Sequence, residues 1–220
     1  LFRRWQNLGE ILPDWLEFFI DGFNDRPALL REVEEFAKRE KVPILLPSAA
    51  SFLRFLSSVL RPEKVLEIGT GIGYSTLSIL MGYPPAKVIT VDSNRKRAEV
   101  ADSFFRKGGF EVDLIVSDGL DLMRSLICRE EEFDLVFVDA VKSEYPFYNF
   151  KVQSLLSERG VAVFDNVLFR GYVAGRPFNS RYTRTVRLLK LFLESVKEYP
   201  GFSSTILPVG DGLLLLYRLV

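Results

Sequence analysis

The apolar positions of this chain repeat with two different periods, and the change between them divides it. Over the first sixty residues the spacing is helical. Trp5, Leu8, Ile11, Leu12, Trp15, Leu16, Phe18, Phe19 and Phe23 recur three and four apart, with Pro13 at a break or a first turn. Residues 29–41 form a second amphipathic helix rich in Glu, Lys and Arg. Residues 42–47 read as extended, punctuated by Pro43 and Pro47. A third helix follows over 48–60, with Ser48 as its N-cap. From Val65 onward, short apolar runs alternate with helical stretches. Strands are predicted over 65–68, 87–91, 112–116, 133–138, 161–164, 203–207 and 213–219. Helices are predicted over 75–81, 95–107, 120–129, 146–156 and 183–199. Alternating strand and helix means a mostly parallel sheet with helices on both faces. The last two strands meet at Gly210-Asp211-Gly212, a hairpin-like turn that adds an antiparallel strand. The fold class expected is therefore doubly wound α/β, Rossmann-like, with seven strands. One domain spans 1–220, with a helical cap over 1–60 and an α/β core over 61–220.

Length and composition agree with this. At 220 residues the chain can bury a full core. Twenty-nine basic and 29 acidic residues cancel, so no global field draws the protein to nucleic acid or membrane. No apolar run reaches the length of a membrane span. One cysteine, Cys128, cannot close an intrachain disulfide, which points to a reducing, cytoplasmic setting. The N-terminus lacks a signal-peptide layout, and the first residue, Leu1 rather than Met, leaves open a native start upstream. There is no histidine. His-based triads, His general bases and His metal ligands are excluded, so a metal site would use oxygen ligands. The excess of N-terminal aromatics fits either a cap over the sheet or an oligomer contact or lid.

The chemistry gathers at the strand ends. Val65 to Thr76 reads V-L-E-I-G-T-G-I-G-Y-S-T: an apolar strand, a glycine turn and a helix start. Gly69, Gly71 and Gly73 allow positive φ and close approach of a ligand to the backbone, and Ser75 lies near the free donors of the helix start. The dinucleotide fingerprint needs glycine at position 74, where Tyr74 stands. With Glu67 in front, the pattern E-x-G-x-G-x-G resembles motif I of the S-adenosylmethionine (SAM)-dependent methyltransferases. In an open α/β sheet, ligands bind beyond the carboxyl ends of the strands. Asp92, about twenty residues on, is placed to accept from ribose hydroxyls, or to cap the next helix. Asp118 in Ser117-Asp118-Gly119 is placed to accept from an adenine amino group while Gly119 keeps the wall open, or to serve as a cap. The strand F-D-L-V-F-V-D delivers Asp139, and V-A-V-F-D-N delivers Asp165 and Asn166. Three hard oxygen ligands side by side suit Mg²⁺, Mn²⁺ or Ca²⁺, or the aspartates cap the segments that follow. Lys142 stands three residues past Asp139. Beside a metal and a cationic cofactor, neighbouring positive charge would lower its pKa and fit it to act as a general base; without a metal site there it is a solvated loop lysine.

Together these residues resemble the metal-dependent O-methyltransferases that include the catechol and caffeoyl-CoA enzymes. E-I-G-T-G-I-G-Y-S, F-V-D-A-V-K and F-D-N-V-L-F-R-G carry the likeness. Within that family the chain is similar to bacterial tRNA 5-hydroxyuridine methyltransferases, through V-P-I-L-L-P, D-N-V-L-F-R-G and P-V-G-D-G-L. The resemblance implies that Leu45, Glu67, Gly69, Ser75, Asp92, Asp118, Gly119 and Asp139 surround SAM. It implies that Asp139, Asp165 and Asn166 hold the metal, that Lys142 is the base, and that the enzyme is a homodimer. Two departures are mild: S-D-G where the family often has G-D-A, and Asp92 where Glu is common. A third weakens a catechol acceptor, because the later acid that faces the second phenol oxygen has no clear counterpart.

After Asn166 the chain is basic and aromatic instead. From Arg170 to Lys190 it carries Arg170, Arg176, Arg181, Arg184, Arg187 and Lys190 with no acid, interleaved with Tyr172, Phe178 and Tyr182. Cations beside aromatics suit a phosphate backbone and an unpaired base, or form a solvated face. The function expected is SAM- and metal-dependent O-methylation. The preferred acceptor is 5-hydroxyuridine at the tRNA wobble position, contacted through Arg170, Arg176 and Arg181. The alternative acceptor is a small catechol or hydroxycinnamoyl compound. A SAM- or tRNA-binding module without activity is the non-enzyme alternative, and intact Asp139, Lys142, Asp165 and Asn166 argue against it.

Overall fold

The computed structural model describes residues 12–219, so Trp5, Leu8 and Ile11 lie outside the described residues. The described residues open with three helices: α1 (Asp14–Phe23), α2 (Ala28–Glu40) and α3 (Pro47–Leu60). Pro13 stands at the N-cap of α1. Helix α3 starts one residue earlier than expected. Pro47 takes the first turn, where its fixed φ suits the helix and its missing N–H needs no cap. Ser48 is therefore not the cap, and its Oγ is buried without a partner. Helix α1 turns its aromatic stripe outward: Trp15, Phe18, Phe19 and Phe23 are 72, 72, 69 and 83 % exposed.

The rest alternates as the periodicity predicts. The elements are β1 (Lys64–Ile68), α4 (Tyr74–Gly82), β2 (Lys87–Asp92), α5 (Arg95–Gly108), β3 (Asp113–Val116) and α6 (Gly119–Cys128). They continue with β4 (Phe133–Val138), α7 (Tyr145–Leu155), β5 (Leu156–Phe164), α8 (Thr183–Lys197), β6 (Phe202–Leu207) and β7 (Leu213–Arg218). The seven strands form one sheet in the order β3-β2-β1-β4-β5-β7-β6. β1 to β5 pair in parallel, and β7 runs antiparallel to both β5 and β6. The order reverses between β1 and β4, which opens a crevice at their carboxyl ends.

Successive strand residues point to opposite faces, and the two faces carry separate cores. Val65, Leu135, Phe137 and Val163 face one core, packed under α2, α3, α4 and α5. Leu66, Ile68, Val136, Val138 and Phe164 face the other, packed under α6, α7 and α8. Helix α4 is buried from Tyr74 to Leu80, as a helix covered by others must be. β5 begins five residues before the predicted 161. Leu156-Ser-Glu-Arg-Gly reads as a polar turn, yet Leu156 pairs with Phe133 across a register shift, and Arg159 takes a φ of 62° to allow it.

Candidate active site

The glycine turn is built onto the tips of β1 and β4. Gly69, Gly71 and Gly73 have φ of 104, 56 and 87°, a region side chains disfavour. A Cβ at Gly69 would collide with the carbonyl oxygen of Asp139. Asp139 N–H in turn donates to Ile68 O at 2.9 Å. The turn and the first acid of the proposed metal set therefore rest on one another.

Glu67 does not line the cleft. It points into the core beneath α4 and is wholly buried. Its carboxyl group accepts from Ser75 Oγ at 2.5 Å, from Thr90 Oγ1 at 2.5 Å and from Thr76 Oγ1. The Thr90 hydroxyl spends its one proton on Glu67, so Thr70, 2.6 Å away, must donate to Thr90. Burial pushes the Glu67 carboxyl up, the three hydroxyls pull it back, and the Asp139 charge adds to the rise. Glu67 thus ties the glycine turn to α4 and β2 from below.

Above the turn lies a cleft of about 430 Å³. It brings together Leu45, Gly69, Ser75, Asp92, Asp118 and Gly119. Asp92 accepts from Gly71 N–H through Oδ2 and from Asn94 N–H through Oδ1, each at 2.8 Å. The cap of α5 is Asn94, not Asp92. Asp118 does cap α6, accepting from Leu120 and Asp121 N–H through Oδ1, and Oδ2 takes no part in that cap. At Gly119 a Cβ would sit 2.6 Å from Ile68 Cγ2 and 3.3 Å from the Tyr148 hydroxyl. Tyr148 also lines the cleft and donates to Glu144 Oε2 at 2.9 Å. Sequence reasoning missed Tyr148, because on α7 its spacing matches that of the core residues Tyr145 and Val152. It also missed Arg97, which borders the cleft from the first turn of α5.

The same cleft is lined by Asp139, Lys142, Asp165 and Asn166. Lys142 Nζ lies 2.5 Å from Asp139 Oδ1. Asp165 is 2 % exposed, and its Oδ1 is buried with no hydrogen-bond partner. Burial, and then the Asp139 charge, hold the Asp165 carboxyl well above the usual carboxylate range. Tyr145, packed against Phe164 and Phe192, donates to the Asp165 backbone oxygen at 2.8 Å and fixes this strand end. Among the described residues no three His, Cys, Asp or Glu side chains come together as metal ligands; the set here is two carboxylates and the amide of Asn166. The orphaned Asp165 oxygen and the hard-oxygen donors nonetheless fit a divalent cation.

Arg170, Arg176 and Arg181 do not line the cleft. They follow it on the segment that leads into α8: Arg170 and Arg181 on two short helical turns, Phe169–Ala174 and Ser180–Tyr182, and Arg176 between the two. Phe169, Tyr172, Phe178 and Tyr182 pack on one another there, with centroids 5.4 to 5.7 Å apart. Arg181 lies over the Tyr182 ring at 4.6 Å. Among the described residues none of the six cations from Arg170 to Lys190 forms an ion pair with a carboxylate.

The family model described as O-methyltransferase matches residues 22–219. A caffeoyl-CoA O-methyltransferase from Populus kitakamiensis is 30% identical over 178 residues, 76% of this chain and 75% of its own length. The structure of an O-methyltransferase from Bacillus cereus in complex with SAH is 26% identical with a TM-score of 0.79, covering 88% of this chain and 92% of that one. SAH-bound methyltransferase PaMTH1 from Podospora anserina is 28% identical with a TM-score of 0.82, covering 97% of this chain and all of its own. The chain belongs to the O-methyltransferase family.

Proposed function

We propose that this O-methyltransferase takes its methyl group from SAM and gives it to an acidic hydroxyl of a small phenolic acceptor, of the catechol or hydroxycinnamoyl type. The observation that carries the acceptor chemistry is Asp165. A buried, partnerless carboxylate oxygen beside Asp139 and Lys142, at the end of a cleft with a glycine corner, is a costly arrangement unless something positive completes it. The caffeoyl-CoA relative supports the phenolic acceptor.

SAM would lie along the cleft. Asp92 meets the ribose, Tyr148 and Asp118 flank the adenine, and Gly69 and Ser75 sit beside the amino-acid end. Asp139, Asp165 and Asn166 would hold a divalent cation such as Mg²⁺, which lowers the pKa of an acceptor hydroxyl bound to it. Lys142, released from Asp139 and having given its ammonium proton to solvent, takes the hydroxyl proton as the neutral amine. The oxygen–methyl bond forms as the sulfur–methyl bond breaks, and the cofactor leaves as neutral SAH. Little covalent work falls to the protein, so most of the acceleration comes from alignment of oxygen, methyl and sulfur.

A second reading, methylation of 5-hydroxyuridine at the tRNA wobble position, is favoured by the six unpaired cations and four aromatics after Asn166. One assay separates the two. The protein is incubated with labelled SAM and Mg²⁺, with a catechol or with tRNA bearing 5-hydroxyuridine, with and without EDTA and over a range of salt. EDTA-sensitive label in the catechol, insensitive to salt, is expected. Label in the tRNA alone, falling steeply with salt, would replace it with the second reading. Label in neither would overturn both. A homodimer through the exposed aromatics of α1 belongs to the same proposal; sedimentation of wild type against Phe18→Ser/Phe19→Ser tests it.

A further inference from the structure

The turn between β6 and β7 packs against the segment that follows Asn166. Asp211, at its tip, is only 2 % exposed although it is an acid in a hairpin turn. Its Oδ1 accepts from Arg170 N–H at 2.6 Å. Its carbonyl oxygen accepts from Leu168 N–H at 3.1 Å, and that of Gly212 from Val167 N–H at 3.0 Å. Three backbone donors of the segment that follows Asn166 are thus taken by two residues of the turn. Gly212 allows this approach, since a Cβ there would run into Leu168.

The segment so held is conformationally costly. Asn166, Phe169 and Arg170 have φ of 55, 42 and 60°, all left-handed and none of them glycine. Such a run persists only where its surroundings over-determine it. The Arg170 N–H has Asp211 as its partner, and the shape of 166–170 decides where Asn166 points and how Asp165 ends its strand. On its other side the turn touches the lip of the cofactor end, where Gly210 packs near Leu46 and Ala49.

We propose that Asp211 is a positioning residue: through its bond to Arg170 N–H it clamps residues 166–170, left-handed at Asn166, Phe169 and Arg170, in the shape that presents Asp165 and Asn166 to a cation. The inference rests on the assignment of those two residues as cation ligands. The clamp needs an acceptor oxygen, not a negative charge, so Asp211→Asn preserves it and Asp211→Ala removes it.

The test compares wild type, Asp211→Asn and Asp211→Ala by amide hydrogen exchange over 165–171 without metal, by Mn²⁺ affinity from electron paramagnetic resonance, and by SAH affinity from calorimetry. In Asp211→Ala the Arg170 amide is expected to exchange at least 100-fold faster and Mn²⁺ to bind at least tenfold more weakly. SAH affinity should stay within twofold of wild type. Asp211→Asn should match wild type in all three. Unchanged exchange in Asp211→Ala overturns the clamp. So does an Asp211→Asn variant as impaired as Asp211→Ala, which assigns the effect to charge, and so does a parallel loss of SAH binding, which marks general unfolding. Should Asp211→Ala not fold, Asp211→Ser, whose hydroxyl falls short of the Arg170 amide, takes its place. Wild type without any Mn²⁺ binding would overturn the cation assignment, while exchange at Arg170 would still decide the clamp.

Discussion

Lys142 Nζ lies 2.5 Å from Asp139 Oδ1, so the proposed base and one proposed cation ligand occupy each other. A cation at Asp139 and the free amine of Lys142 are then parts of one exchange. Lys142→Ala should lower kcat by about 10²–10⁴-fold, the usual worth of a positioned base. The half-saturating Mg²⁺ concentration should stay the same or fall, because Asp139 no longer has a competitor. Initial rates over a Mg²⁺ titration measure both; a rise in the Mg²⁺ requirement would make Lys142 a scaffold for Asp139 instead.

Asp165 carries a stability cost that depends on pH. Its carboxyl is held well above the ordinary value of 3.8 in the folded protein. A raised folded pKa favours the fold below that ordinary value, and this advantage is lost as pH rises through the folded pKa. Asp165→Asn removes the buried charge and does not titrate. Without metal it should be more stable than wild type at neutral pH, by about 1–3 kcal/mol for a buried group left unsatisfied, and the gain should vanish below about pH 3.8. Thermal melts from pH 3 to 8 check the sign. In added Mg²⁺ the order should reverse, since only wild type gains a bound ion.

Gly69→Ala should damage cofactor and acceptor ends together. The φ of 104° and the collision with Asp139 O act at the same atom. Overpacking alone costs roughly 1–3 kcal/mol, and any relief moves Asp139. SAH affinity and Mg²⁺ affinity, measured on the same sample, should both weaken at least tenfold. Loss of one alone would mean that the turn and the β4 tip move independently.

Glu67→Gln tests the tie beneath the turn. The carboxyl group receives three hydroxyl protons, and an amide nitrogen cannot accept any. At least one hydroxyl loses its partner, at about 1–3 kcal/mol. The thermal midpoint should fall while the acceptor KM stays unchanged. A variant with native stability and lost SAH binding would instead return Glu67 to direct contact with the cofactor.

Much of the site could be read from strand ends. The parallel α/β pattern places every strand's carboxyl end at one edge, so Asp92, Asp118, Asp139, Asp165 and Asn166 converge whatever the details of packing. Glu67 faces away from the cleft and Asp139 lines it, for one reason. Both are acids on apolar strands, but Glu67 lies one residue before the strand ends, and the alternation of the pleat turns it into the core under α4. Tyr148 and Asp211 gave no signal. One is spaced like a core tyrosine, and the other looks like a solvated turn acid until a distant segment folds onto it.

The sequence alone determined the strand and helix order, the glycine turn between Ile68 and Tyr74, and the acids at the tips of β4 and β5. These follow from period, backbone freedom and strand direction, all local properties. Only the tertiary structure decided which polar groups share a bond. The Glu67 network joins residues 23 positions apart in the chain, and the Asp211 clamp joins residues 41 apart. Hydrogen-bond partnership between distant segments depends on how the sheet brings their ends together, and no spacing along the chain encodes it.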